Sequence, residues 1–392
     1  MEIFHRTPLA EELATFILDD ATSSSSSSLL LAAPRGTGKS TFLSYDLGPA
    51  LSRRGAVVIH VDLWASRGDE PGELIAAEIR SALARHDGAL IRLARRTGLV
   101  ERGNGVWPLG LLRDDVGNMV SVTHALAALS DECEQPLVLI VDEAQDIITT
   151  QNGKNILRAI RSAIEELNMG SHHGLRLVAV GSERGKLAML AQDLKSSLDD
   201  ESVRDVPLLG REFVEWFCHH APGSVRLDVD QVEALFLRYG SRPAWLSAGL
   251  DALLRGTNRD PGETINVLTN AMVHLERGAV RNLLIRLRWL SPLEFALLRV
   301  IAAQGWECAP LWPGTIKTLQ TVLADDGNPA TMRVDVAQVG AALESLRERR
   351  LLWRSMEGVY ALEDMAMRDR LKYAGLLSDA TRQVTPLFAM TD

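Results

Sequence analysis

The stretch LAAPRGTGKST, from Leu31 to Thr41, decides the fold of this chain. An apolar run that reads as a strand leads into it, and a helical pattern begins close to Gly38. Glycines between strand and helix let backbone N–H groups turn onto phosphate oxygens, where a Cβ would obstruct them. Ala33 replaces the usual first glycine, but the spacing is that of a phosphate-binding loop. The predicted nucleotide contacts are Pro34, Arg35, Gly36, Thr37, Gly38, Lys39, Ser40 and Thr41.

Two side chains of this loop have distinct predicted roles. Lys39 would reach the β- and γ-phosphates of ATP, and the Ser40 hydroxyl would ligate Mg²⁺. The helix that follows adds the positive end of its dipole to the anion site. The loop therefore predicts ATP and Mg²⁺ as the cofactors.

The sequence around the loop alternates between strand and helix patterns. Continuous apolar runs separated by helices are typical of a parallel sheet with helices on both faces. We therefore expect an α/β fold with ligands bound at the carboxyl ends of its strands. The predicted strands cover residues 29–33, 56–62, 136–141, 175–181 and 203–208.

A second motif stands where the third predicted strand ends. The apolar run 138–141 leads directly into Asp142 and Glu143. Asp142 would support the magnesium through water, and Glu143 is placed to polarise the attacking water. Ser182 follows the next strand and either faces the γ-phosphate, caps the following helix, or does both.

These pieces resemble the AAA+ class of P-loop ATPases. The matching motifs are APRGTGKS, LVLIVDEAQ and VAVGSE, in that order, and the resemblance covers roughly residues 1–255. Within the class, PRGTGK and DEAQ look most like archaeal-type ATPases and ATPases that serve transposition, plasmid and secretion systems. The resemblance implies the sheet order 5-1-4-3-2.

The resemblance also implies roles for two arginines. Arg242, after Gly240 at a helix junction, is similar to the second sensor of AAA+ lids, which touches the nucleotide phosphates. Arg204 stands where a neighbouring subunit would supply an arginine finger, so the resemblance implies a homo-oligomer. The alternatives are a solvated turn for Arg242 and an ordinary ion pair for Arg204, for instance with Asp205.

The pattern divides the chain into three expected domains. These are an ATPase core at 1–210, a helical lid and connector at 211–288, and a winged-helix-like domain at 289–392. In the last, three helices precede a hairpin, and the third helix would be the recognition helix if the domain bound DNA. Acidic residues slightly outnumber basic ones there, so a protein client remains the alternative to DNA.

Composition limits the remaining possibilities. The net charge of −9 argues against wholesale electrostatic binding of nucleic acid, although a local basic face is compatible with it. No apolar run is long enough to span a bilayer, and the N-terminus lacks the basic start of a signal peptide. Three dispersed cysteines match neither a metal site nor a disulfide framework. We expect a cytoplasmic protein without a membrane partner.

The sequence thus predicts a magnesium-dependent ATP hydrolase of the AAA+ class. Its expected role is that of a motor or regulatory switch in a DNA transaction such as transposition, plasmid maintenance or phage defence. The alternative is a nucleotide-gated signalling switch whose C-terminal domain binds a protein partner.

Overall fold

The structure is a computed structural model. It describes residues 2–19, 28–65, 68–86, 122–169, 172–194, 203–222, 225–255, 261–305, 308–327, 334–355 and 358–377. The chain forms two compact units, Met1–Ala244 and Trp245–Asp392. No helix in the described ranges is both long and apolar enough to cross a lipid bilayer. The predicted division into three domains stays a prediction.

A parallel five-stranded sheet forms the centre of the first unit. Its order is β2-β3-β4-β1-β5, which is the predicted order 5-1-4-3-2 read from the other edge. The strands are β1 (Ser28–Ala32), β2 (Val57–Asp62), β3 (Leu137–Asp142), β4 (Leu175–Gly181) and β5 (Val203–Asp205). The register aligns Asp62 with Asp142 and Ala32 with Gly181, so the carboxyl ends of the four longer strands lie along one edge. The sequence prediction of the α/β class is confirmed.

The first unit also contains α-helices. They are α1 (Thr7–Asp19), α2 (Lys39–Phe42), α3 (Gly48–Arg53), α4 (Pro71–Ala84), α5 (Val122–Cys133), α6 (Gln151–Met169), α7 (Arg184–Asp193), α8 (Arg211–His219) and α9 (Val229–Arg238). A π-helical turn, Leu43–Leu47, joins α2 to α3. Residues of α1, α2 and α3 form one core with alternate residues of β1, β3 and β4. Every residue of β1 and β3 is buried, which explains why the sequences of these strands are nearly continuous apolar runs.

Two predicted boundaries differ from the structure. The predicted strand 203–208 is paired only over Val203–Asp205, because its register on β1 extends from Leu30 to Ala32. The helix predicted for 71–96 is described as far as Ala84, and residues 87–96 lie outside the described ranges. Most of the serine run 23–28 also lies outside them, although Ser28 begins β1.

The second unit begins within α10 (Pro243–Leu254) and includes a long helix, α11 (Pro261–Leu287). Its remaining elements are α12 (Pro292–Gln304), α13 (Pro313–Asp325), α14 (Val336–Glu348), the hairpin strands β6 (Leu352–Arg354) and β7 (Tyr360–Leu362), and α15 (Ala366–Tyr373). Ser291 and Glu294 form the predicted capping box of α12. Residues of α11 to α15 and of the hairpin share one apolar core. Three helices followed by an antiparallel hairpin are the predicted winged-helix-like arrangement.

Candidate nucleotide-binding site

The phosphate loop joins the end of β1 to the start of α2. Gly36 and Gly38 have φ angles of +79° and +88°, in the left-handed region that glycine adopts without strain. Thr37 Oγ1 donates to the carbonyl of Pro34 at 2.7 Å and closes the turn. The backbone amide of Ala33 donates to the carbonyl of Gly181 at 2.9 Å, which holds the loop against β4. Lys39 is the first helical residue, so the positive end of the helix faces the loop.

The two predicted motifs meet in one buried cluster. Lys39 Nζ lies 2.7 Å from Asp142 Oδ1 and also contacts Glu143 Oε1. Ser40 Oγ donates to Asp142 Oδ2 at 2.7 Å. Lys39 and Glu143 are each only 6% exposed, and Asp142 is 1% exposed. The fold thus brings together two pairs of adjacent residues that stand more than one hundred positions apart in the chain.

Four donors surround the carboxylate of Glu143. Besides Lys39, its Oε2 accepts hydrogen bonds from Gln145 Nε2 at 2.6 Å, Ser182 Oγ at 3.0 Å and Arg35 Nη2 at 3.3 Å. Its backbone is left-handed, with φ 55° and ψ 38°. Such conformations of non-glycine residues are costly and concentrate at functional sites.

Burial and charge act in opposite directions on Glu143. Burial raises the pKa of its carboxyl, but the charge and hydrogen bond of Lys39, the charge of Arg35 and the bond from Gln145 outweigh it and lower the pKa to about 2. At any physiological pH Glu143 is therefore ionised, which is the form that can accept a proton.

An open cleft of about 460 Å³ lies over this cluster. It is lined by residues of the phosphate loop, the ends of β2 and β3, and the start of α10: Arg35, Gly36, Gly38, Lys39, Ser40, Thr41, Asp62, Trp64, Asp142, Glu143, Pro243 and Ala244. Asp62 and Trp64 were not among the predicted site residues. The rule that placed Asp142 in the site, that ligands bind at strand carboxyl ends, also points to Asp62 at the end of β2.

Three other predicted residues differ in their relation to the cleft. Ser182 contacts Glu143 directly, as described above. Arg242 lies beside the phosphate loop: its Cγ is 3.9 Å from the position that a Cβ would occupy at Gly36. Arg204 is exposed on β5 and is not among the residues that line the cleft; its guanidinium lies 3.8 Å from the ring centroid of Phe16. Asp205, the suggested ion-pair partner of Arg204, instead contacts Arg184 at 3.1 Å.

Sequence reasoning also missed two residues that support the site. Gln145 is 1% exposed and holds Glu143 through its amide, while its own Oε1 has no hydrogen-bond partner among the described residues. The signal was present in the tetrapeptide DEAQ, but its last residue was given no role. Arg6 donates to the carbonyls of Gly38 at 3.3 Å and Pro207 at 3.1 Å, and braces the loop from the N-terminal segment. No local sequence pattern indicated Arg6.

The donors present fit Mg²⁺. Ser40 and Asp142 offer hard oxygen ligands next to the phosphate loop. Within the described ranges, no three His, Cys, Asp or Glu side chains converge as a dedicated metal cage. One or two protein oxygens completed by phosphate and water are the coordination that Mg²⁺ takes in nucleotide sites.

Comparisons with known proteins agree with this architecture. Neither a protein-family model nor a curated protein matched the sequence. Among solved structures, the chain is similar to the ORC2 protein of Aeropyrum pernix in its ADP form, with 16% identity, 96% of each chain covered and a TM-score of 0.53. It is also similar to the ADPNP-ADP complexes of that protein, with 16% identity, 96% of each chain covered and a TM-score of 0.50. At this identity the likeness shows the fold: the chain has the fold of the AAA+ P-loop ATPases, followed by a winged-helix-like C-terminal domain.

Proposed function

We propose that this chain binds ATP and hydrolyses it to ADP and phosphate. The observation that carries the proposal is the convergence of Lys39, Ser40, Asp142 and Glu143 beneath one cleft. It combines a cation for phosphates, oxygen ligands for a metal and a carboxylate for water. The similar ORC2 structures hold ADP and ADPNP, which supports a nucleotide as the ligand here.

Binding follows from the loop and its helix. The amides around Gly36 and Gly38 would receive the phosphate oxygens, and Lys39 would contact the β- and γ-phosphates. Arg242, beside Gly36, would reach the same phosphates from the lid side. Ser40 and Asp142 would hold Mg²⁺, which when bound neutralises charge on the phosphates.

The water is activated by Glu143. Its pKa of about 2 makes it a weak base while Lys39 is its partner. When Lys39 turns to the phosphates, Glu143 loses the charge that lowers its pKa most, and its affinity for a proton rises. Ser182 is close enough to the same carboxylate to position the water with it. Arg204 remains a candidate for a cation given to a neighbouring copy.

This coupling predicts different pH profiles for kcat/KM and kcat. The ratio kcat/KM reports the free protein, in which Glu143 is ionised. Protonation of Glu143 should therefore lower kcat/KM only well below pH 4. The kcat value reports the ATP complex, in which the pKa of Glu143 is higher, so kcat should decline first as pH falls. Phosphate release measured across pH, with ATP affinity measured at each point to separate titration of the nucleotide, tests this. Coincident acid limbs would contradict the coupling.

We propose that the output of hydrolysis is a motor or switch action in a DNA transaction, such as transposition, plasmid maintenance or phage defence. This role is supported by the winged-helix-like domain and by the motifs PRGTGK and DEAQ, which resemble those of ATPases that serve transposition and plasmid systems. The arginines near its third helix are partly neutralised within the chain, however. Arg347 and Arg354 contact Glu344 at 2.8 and 3.1 Å.

One surface favours the alternative, a nucleotide-gated switch that binds a protein partner. Leu284, Ile285 and Trp289 are large apolar side chains exposed by 40%, 45% and 66%, near the end of α11. Exposed arginines accompany them, and Arg288 lies 4.6 Å from the centroid of the Trp289 ring. Clustered aromatic, aliphatic and arginine side chains are typical of protein-binding surfaces.

The rate of phosphate release with and without duplex DNA separates the two roles. In a DNA transaction, duplex should stimulate turnover, and the stimulation should decline as salt rises, because phosphate contacts release counterions. A rate that duplex leaves unchanged at low salt would overturn the DNA role and favour the protein-binding switch. If duplex does stimulate turnover, Trp289→Ala should leave the stimulation unchanged, because the DNA role makes no use of the exposed apolar surface.

A further inference from the structure

The side chain of Arg35 has a position that phosphate binding by the loop does not explain. In a phosphate loop the backbone amides cradle the anion, so the side chain between Pro34 and Gly36 is free to point elsewhere. Here it points into the cleft, with 23% of its area exposed. It is therefore a second cation in the site, besides Lys39.

Three segments fix this guanidinium. Nη2 lies 3.3 Å from Glu143 Oε2, at the end of β3, and Nε donates to Ser182 Oγ at 3.3 Å, at the end of β4. The Trp64 ring, just after β2, lies under the guanidinium at 4.0 Å from its centroid. Stacking of a planar guanidinium on an indole restricts its rotation. Arg35 is thus held beside the two residues that would handle the attacking water.

We infer that Arg35 is the catalytic cation for the γ-phosphate, supplied by the same chain that supplies the pocket, with Trp64 as its positioning residue. The inference rests on the proposed function. In the proposed function Lys39 would contact the γ-phosphate and Glu143 would contact the water. Arg35 lines the same cleft, contacts Glu143 and stacks on Trp64. Five rigid donors suit Arg35 for the charge that spreads over phosphate oxygens during transfer.

The reaction balances without a further reagent. The water oxygen forms a bond to the γ-phosphorus, and the bond from that phosphorus to the β–γ bridging oxygen breaks, leaving ADP. The proton of the water passes to Glu143 and then to solvent. Arg35 takes no part in the proton transfer and acts only through its charge and hydrogen bonds.

A within-chain cation differs from a finger given in trans. Arg204 stands on the edge strand β5, exposed and stacked on Phe16, where only a neighbouring copy could use it. If Arg35 supplies the charge, each chain holds a complete catalytic set. Turnover per chain should then be independent of protein concentration.

The test compares Arg35→Ala and Arg35→Lys with wild type and with Arg161→Ala, which removes an exposed arginine paired with Glu165 on α6. Phosphate release, affinity for fluorescent ADP and affinity for ADP with aluminium fluoride are measured on each. We expect Arg35→Ala to lose about 10³-fold in kcat and to lose the tighter binding of ADP with aluminium fluoride, while its affinity for ADP stays within about threefold. Arg35→Lys keeps a charge without the planar fork and should recover only a small part of the rate. Arg161→Ala should behave as wild type.

The outcomes are distinct. A wild type that releases no phosphate overturns the proposed function and, with it, this role. An active wild type with an equally active Arg35→Ala overturns the role of Arg35 alone. Parallel loss of ADP affinity and of rate in both Arg35 variants would make the residue structural. Mixing Arg35→Ala with Lys39→Ala should restore no activity, and any restoration would show that the cation acts in trans.

Discussion

Replacing Glu143 with glutamine should lower ATP turnover by about 10²- to 10⁴-fold, the usual contribution of a general base. Nucleotide affinity should stay the same or rise, because Lys39 would lose one of its two carboxylate partners, keep only Asp142, and turn more easily to the phosphates. Phosphate release and binding of a fluorescent ATP analogue on the same preparation measure both quantities.

Stability must be followed alongside activity in this variant. The change removes one negative charge from a buried pair, so the melting temperature is a necessary third readout. Glu165→Gln, which changes an exposed glutamate on α6 to its amide, is the matched control and should leave all three unchanged. Full phosphate release by a folded Glu143→Gln protein would remove Glu143 from the mechanism.

Replacing Lys39 with alanine should have the second large effect, a loss of ATP affinity. A charged hydrogen bond to phosphate is worth roughly 1.5–3 kcal/mol, so binding should weaken about 10- to 100-fold. The same change removes the cation shared by two buried carboxylates, and leaves Glu143 with Arg35 at 3.3 Å as its remaining cationic partner. Loss of one partner of a buried ion pair costs about 3–5 kcal/mol, so the unfolding midpoint in urea should fall as well.

The two consequences of Lys39→Ala can be separated. Nucleotide binding is measured by fluorescence at a temperature at which circular dichroism shows the variant folded. Lys39→Arg, which keeps the charge, should retain most of the stability while losing affinity through its different shape. Wild-type ATP affinity in folded Lys39→Ala would show that the loop binds nucleotide elsewhere.

The sequence predicted those parts of the site that depend on strand ends. Asp142 and Glu143 follow a fully buried strand, and parallel strands bring their carboxyl ends to one edge of the sheet. Lys39 and Ser40 follow from glycine spacing within a few residues. Such patterns are local, and the parallel sheet of this fold class brings the two motifs together.

The parts that sequence did not predict depend on contacts between distant segments. Arg35 and Ser182 are 147 positions apart, and no local pattern specifies that one side chain reaches the other. The stacking of Arg35 on Trp64 depends equally on tertiary structure. Gln145 donates to Glu143, and Glu143 has a left-handed backbone conformation that a glutamate does not favour by itself.

The length of β5 has the same kind of cause. Its sequence is compatible with a longer strand, but its pairing covers only Leu30–Ala32 of β1 and ends with a bond from the Val206 amide to the Ala32 carbonyl. Strand pairing, rather than propensity, sets that boundary.

Steady-state phosphate release from ATP by the full chain in the presence of Mg²⁺ tests the central claim most directly. We expect continuous multiple turnover that stops on addition of a magnesium chelator and that falls to background in Glu143→Gln. Tight ATP binding by the folded wild type, with phosphate release no higher than in Glu143→Gln, would contradict the claim and leave a protein that binds the nucleotide without hydrolysing it.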